Sequence, residues 1–177
     1  MQAAHLEKRA ERYLKLSRLA KETLSNLEGG NQMDKKDLFE GFDYEKMMEE
    51  QKQYEAEVKE RWGNTEAYKE SMTKTSKYTR EDWERINEIQ MKNLKDLCDL
   101  YRAKVSHDDP RVQEVVDSSR KFISDNFYEC SLEALSGLGR MYVADNRFAA
   151  YYEKFAPGLA SYYNNAIQYY CINKATP

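Results

Sequence analysis

The sequence predicts an all-α protein: a long N-terminal helix of the dimerisation, coiled-coil type, followed by a compact helical domain. Three observations carry that reading. The chain of 177 residues holds only three prolines and seven glycines, most of them between periodic runs rather than inside them. Apolar residues recur three and four apart, and no stretch sustains a period-two alternation. Cap residues also stand where such runs begin.

Residues 3–27 are the first helix in this reading. Leu6, Ala10, Tyr13, Ser17, Ala20, Leu24 and Leu27 step by four and three into an a/d seam, and Gly29-Gly30 ends it. An isolated helix cannot bury such a seam, so it needs a partner, either a second copy of the chain or the domain itself. The predicted dimerisation residues are Leu6, Ala10, Tyr13, Ala20, Leu24 and Leu27, within a segment 1–28. Residues 29–42 are expected to be a linker and potential lid, and residues 43–177 the domain.

Asp43 is a plausible N-cap for a highly charged helix running to Trp62, where Gly63 stops it. Asn64 or Thr65 caps a short helix to about Ser76. Thr79, with Asp82 three residues on, resembles a capping box and opens a long helix to about Lys104, with Trp83, Ile86, Leu94, Leu97 and Tyr101 as its apolar set. "DDP" gives an Asp cap and Pro110 at the first helical position. The helix that follows has the clearest periodicity, at Val112, Val115, Val116, Phe122 and Ile123. Ser131 and Asp145 cap the next two helices. Pro157 is expected to start the last, whose buried face is Leu159, Tyr162, Tyr163, Ala166, Ile167 and Tyr170. The expected total is about eight helices.

Composition removes several function classes. Cys98, Cys130 and Cys171 are odd in number and fit no zinc or redox motif, so they read as buried reduced thiols. His5 and His107 are the only histidines. With so few, no metal site, catalytic triad or haem ligand is expected, and no cofactor. Residues 1–27 hold six basic residues against three acidic ones, a surplus of three; the whole chain is −3, so the remainder carries −6. An acidic body of this kind lacks the basic stripe that grips nucleic acid. No run is apolar enough for a membrane span and the N-terminus lacks a secretory h-region, so the expected location is the cytoplasm, without membrane attachment.

The stretch "NFYECSLEALSGLGRMYVADNRF" invites a chemical reading that its details refuse. Gly137-Leu138-Gly139 lacks the third glycine and the preceding strand of a phosphate loop, and it lies inside a helix. Two helical glycines cost about 1 kcal/mol each relative to alanine, a cost tolerated where a helix or a bound molecule approaches the backbone closely. Cys130 has Glu129 beside it and no histidine near in sequence, which argues against a nucleophile. Of the 14 tyrosines, eight fall in the last 50 residues. The pairs Tyr151-Tyr152, Tyr162-Tyr163 and Tyr169-Tyr170 cannot all face one core, because neighbours on a helix point about 100° apart. Their second face lines a cavity, meets a partner or lies in solvent.

"LFEGFDYEK", "EVKERWGNTEAYKES", "SKYTREDWERI" and "FYEC…GLGRMYVADNRFAAYYEKFAPGLASYYNNAI" resemble the TipAS antibiotic-recognition domain, the C-terminal effector domain of MerR-family transcriptional regulators of the TipA and Mta multidrug-activator type. The resemblance spans about residues 38–172. Residues 1–27 are similar to the C-terminal half of the antiparallel dimerisation helix of those regulators. The resemblance implies a globin-like helical fold without haem, an apolar cleft for large antibiotics such as thiopeptides, and N-terminal helices that close over the drug. It also implies that DNA is reached only through a winged-helix domain that these 177 residues do not contain, so the chain is expected to be a fragment or a drug-sequestering form.

The family member that traps thiopeptides covalently has its reactive cysteine at the position of Gly137, and glycine cannot add to a dehydroalanine. Reversible binding of a broader set of amphipathic drugs is therefore expected. The predicted ligand-binding residues are Phe42, Trp62, Tyr68, Tyr78, Trp83, Tyr128, Gly137, Leu138 and Met141, with no catalytic or metal-binding residue. The competing reading is a structural adaptor that dimerises through the 1–27 seam and takes no small molecule. An enzyme is disfavoured for want of a base–nucleophile pair.

Overall fold

Six of the seven described helices begin at a side-chain cap. The computed structural model describes residues 42–175, which form seven helices without a strand. The predicted helix 3–27, its six dimerisation residues and the 29–41 part of the linker lie outside the described residues.

Helix α1 is Tyr44–Trp62, with the Asp43 carboxylate accepting from the Lys46 N–H at 3.1 Å and the Gly63 N–H closing onto the Lys59 carbonyl. Helix α2, Glu66–Thr75, is capped by the Thr65 hydroxyl. Helix α3, Arg80–Arg102, opens with a complete capping box: Thr79 accepts from the Asp82 N–H, and the Asp82 carboxylate accepts from the Thr79 N–H. It stops two residues before the expected Lys104, which sits in the left-handed region at φ 56°. Helix α4, Pro110–Asn126, has Asp109 as its cap and Pro110 at its first position. Ser131 caps α5, Leu132–Ala144, and Asp145 caps α6, Asn146–Glu153.

The last helix, α7, is Leu159–Ala175, so Pro157 does not start it as expected. Gly158 intervenes at φ +85°, a conformation that no helix continues and that glycine adopts without a Cβ penalty. A Cβ there would stand 2.6 Å from the Tyr101 hydroxyl, which donates to the Pro157 carbonyl at 2.7 Å. The turn is thus pinned to the end of α3.

Helices α5 and α7 form the tightest pair, and Gly139 makes that possible. A Cβ at Gly139 would meet Ile167 Cγ2 at 3.0 Å and Asn164 Oδ1 at 3.1 Å. With α3 and α4, this pair buries Leu97, Val112, Val116, Leu135, Leu159 and Ile167 almost completely. The expected apolar faces of α3 and α7 are the buried ones, except that Tyr101 and Tyr162 keep hydroxyls at the rim, where Tyr162 donates to the Val105 carbonyl. Helices α1 and α2 bury no residue. Among the described residues, no helix is long and apolar enough to cross a membrane.

Candidate functional site

The helical body encloses an unfilled space. A cavity of about 260 Å³ opens where α3, α4, α5, α6 and α7 converge. Helix α3 contributes Gln90, Asn93, Leu94 and Leu97; α4 contributes Ser119, Phe122 and Ile123. Phe127 and Tyr128 reach in from the α4–α5 loop, Leu138 and Tyr142 from α5, Tyr151 and Tyr152 from α6, and Tyr163 from α7. The wall is therefore aromatic on the α5–α7 side and mixed on the α3–α4 side.

Hydrogen bonds set the position of Tyr128. The Arg120 guanidinium donates to the Cys130 carbonyl at 2.8 Å, the Cys130 N–H to the Ser124 hydroxyl at 3.0 Å, and the Glu129 N–H to the Glu70 carboxylate at 2.9 Å. Lys74 adds a bond from α2 to the Ser124 carbonyl. The loop is thereby held on both sides of the Tyr128 ring. That ring lies deep enough for burial to push its phenol up to about 12.

The remaining tyrosines hold one another. Tyr142 stacks on Tyr163 with centroids 5.7 Å apart and an interplanar angle of 13°, while Tyr152 tilts against both at 5.0 and 5.7 Å. Tyr151 meets Tyr152 edge-on at 5.3 Å. Tyr142 and Tyr152 share a hydrogen bond, and Tyr163 is bonded to the buried Ser119 hydroxyl. Burial raises the pKa of all three phenols, so the wall stays uncharged.

Of the nine predicted ligand-binding residues, Tyr128 and Leu138 line this cavity. Trp83 is one layer behind it: its ring packs 6.3 Å from Phe127 and edge-on to Tyr78 at 5.5 Å, and the Tyr78 hydroxyl donates to the Asn126 carbonyl. Phe42 lies edge-on to Tyr44, and Trp62 is exposed at the end of α1 beneath the Arg61 guanidinium. Tyr68 is half-buried in α2, and Met141 is half-buried in α5. Phe42, Trp62, Tyr68, Met141 and Gly137 are not part of the lining.

The two glycines divide in role. Gly139 is the close helix contact, whereas a Cβ at Gly137 would meet nothing within 4 Å. No neighbouring helix comes close at Gly137, so that face of α5 is open. Sequence reasoning missed Tyr142, Tyr151, Tyr152 and Tyr163 as lining residues, although the doubled tyrosines carried the signal: both members of the pair 151-152 face the cavity. Phe122 and Ile123, read as core, also line it.

The three cysteines are buried and free. Burial pushes the Cys98 and Cys130 thiols up to about 11, far from a reactive thiolate. Among the described residues no cluster of histidine, cysteine or acidic side chains is placed to hold a metal ion.

Helix α1 ties together the starts of two helices that wall the cavity. Arg80, at the start of α3, sits 5.6 Å over the Tyr44 ring and 3.4 Å from the Glu45 carboxylate. At the other end Arg147, at the start of α6, donates to both Glu57 oxygens at 2.8 Å, grips Asp145 at 2.7 Å and covers the Tyr54 ring at 5.5 Å. The Arg147 guanidinium lowers the Glu57 pKa and holds the Asp145 carboxyl at about 2.

A family model described as the TipAS antibiotic-recognition domain matches residues 54–170. The chain belongs to that family. It is 41% identical over 115 residues to the HTH-type transcriptional activator TipA of Streptomyces coelicolor, covering 65% of this chain and 46% of TipA. The HTH-type transcriptional activator Mta of Bacillus subtilis is 31% identical over 177 aligned positions, covering 97% of this chain and 66% of Mta. The fold matches TipAS of Streptomyces lividans, solved in complex with the thiopeptide antibiotic nosiheptide, with a TM-score of 0.67 and 37% identity over 80% of this chain and 93% of that one. The chain thus spans about half the length of TipA and about two thirds of Mta.

Proposed function

We propose that this chain is the ligand-sensing part of a MerR-type transcriptional activator, binding an antibiotic or other amphipathic drug reversibly in the tyrosine-walled cavity. The observation that carries the proposal is the cavity itself, an aromatic-walled space within the helical body. Well-packed interiors leave few voids larger than a water molecule. At about 260 Å³ it lies just under the common range of drug-sized sites, roughly 300–1,000 Å³. A ring system of a larger molecule inserts here while the rest lies under α1. The nosiheptide complex of the 37%-identical TipAS supports this guest class.

Binding then acts by population shift. Helix α1 buries nothing of its own and is fastened at two arginines. A guest that adds apolar contact beneath it favours the docked state over the loose one by as much as its affinities for the two states differ. Residues 3–27 would pass that ordering on as the dimerisation helix, and DNA would be reached through a separate DNA-binding domain. The chain acts by binding rather than catalysis, in keeping with its unreactive thiols.

Titration with nosiheptide, following Trp62 and Trp83 fluorescence, tests the proposal. Saturable quenching in the wild type, weakened at least about tenfold by Leu138→Trp with an unchanged helical circular dichroism spectrum, is the expected result. A flat response, or identical affinity in the filled variant, would refute it.

A further inference from the structure

One ring of the cavity wall is held differently from the rest. Every other aromatic side chain in the lining packs against a neighbouring ring. Tyr142, Tyr152 and Tyr163 meet one another, Tyr151 meets Tyr152, and Phe122 meets Phe127, which also reaches Trp83. No ring contact or hydroxyl hydrogen bond joins Tyr128 to another described residue. Its place in the wall is therefore set through its backbone.

That backbone is irregular, with Phe127 leaving helical geometry at φ −128° and ψ −70°, and its polar groups need partners. Several come from α2 and the turn after it. Before the ring, the Lys74 ammonium donates to the Ser124 carbonyl at 2.8 Å and the Tyr78 hydroxyl to the Asn126 carbonyl. After it, the Glu129 N–H donates to the Glu70 carboxylate at 2.9 Å. Glu70 and Lys74 lie one turn apart on α2 and 3.0 Å from each other. Both are part-exposed, on a helix that buries no residue, and such bonds give way more readily than packed rings. At about 260 Å³ the cavity is small for a drug-sized guest, so part of its wall must yield. Tyr128 is the ring that can.

We propose that Tyr128 is the movable ring of the wall, and that Glu70 and Lys74 are positioning residues that hold it inward and so gate entry of the guest. This gate rests on the ligand-sensing reading above and adds the guest's route of admission.

The test follows the full chain by fluorine NMR, with 3-fluorotyrosine in place of Tyr128 or, as a control, of Tyr163. Nosiheptide association is followed by stopped-flow tryptophan fluorescence. Glu70→Ala, and the exchanged pair Glu70→Lys with Lys74→Glu, are expected to move the Tyr128 signal toward that of a solvated ring. Both should speed association at least about threefold. The exchange keeps the ion pair but sets a donor against the Glu129 N–H and an acceptor against the Ser124 carbonyl, so it does not restore the hold. Glu70→Gln, whose amide oxygen still accepts, is expected to behave as wild type. With the ring removed by Tyr128→Leu, Glu70→Ala should add nothing further to the rate. The gate is overturned by an unmoved Tyr128 signal, by a Tyr163 signal that moves with it, or by unchanged association in a protein that binds. A Glu70 effect that persists without the ring overturns it too. If the wild type binds no nosiheptide, the sensing reading falls, and the fluorine signal alone decides whether α2 positions Tyr128.

Discussion

Helix α1 and the α3–α7 body are built from the same kinds of signal and held by different forces. Both are well-capped helices, and Asp43 caps α1 as Thr79 and Asp109 cap α3 and α4. The body then buries its apolar faces, with Leu97, Leu135 and Ile167 almost wholly enclosed. Helix α1 buries no residue and depends on Arg80, Arg147 and their carboxylate and aromatic partners, all of them exposed or only part-buried. Exposed ion pairs contribute little to stability and are screened by salt. Local sequence thus makes both helical, while only the body is fixed in place by packing. That division suits a sensor, since a part meant to respond must be cheap to move.

Disrupting the body should have the largest effect. Leu135→Ala removes a 1%-exposed side chain from the α5–α7 contact, and its expected cost is about 2–5 kcal/mol in denaturant unfolding. If that cost fell near zero, the body would be as loosely held as α1 and the contrast would fail.

Arg147→Ala sharpens the contrast from the other side. It should accelerate amide exchange across residues 44–62 severalfold while changing global stability by no more than about 0.5 kcal/mol. A matching loss of protection in α5 and α7 would mean that α1 is part of the core's cooperative unit.

Acid should discriminate in the same direction. Glu57 and Asp145 have their pKa values lowered in the folded protein, so the fastening they provide is fully present above their unfolded values near 4. It is lost as pH falls through the folded values, about 2 for Asp145. Between about pH 4 and pH 2, exchange in α1 should quicken before that in α5 and α7. The body shares some acid sensitivity through the Asp109 cap, held at about 2 by Arg111, through Asp82 in the capping box of α3, and through Asp117, which bonds to Lys121 and Tyr170. Simultaneous loss in both regions would contradict the comparison.

Much of the fold was legible because it is local. Among the described residues, Asp43, Thr65, Thr79, Asp109, Ser131 and Asp145 are the N-caps the sequence offered, with Thr65 rather than Asn64 taking the second, since capping is decided within three residues. Pro157 misled because the decisive feature, the positive φ of Gly158 against the Tyr101 hydroxyl, is a contact across 57 positions of chain. The cavity was harder to read for the same reason. Tyr128 and Leu138 were named through motif and position, while Tyr163 was read as core and the side faced by Tyr151 and Tyr152 stayed open, because a lining tyrosine and a packed one have the same periodicity. What separates them is whether the space opposite is filled, and that depends on α3 and α4 together. Gly137 and Gly139 make the point within one turn: two identical residues, one pressed against Ile167 and one facing open space.

Amide hydrogen exchange of the full chain, free and saturated with nosiheptide, addresses the central claim most directly. The account predicts rapid exchange across residues 44–62 in the free protein, marked slowing there on binding, and added protection at 127–128, 138–142 and 151–152 around the cavity. Protection of α1 already equal to that of α5 and α7 without ligand, or ligand-induced protection confined to segments away from the tyrosines, would contradict it.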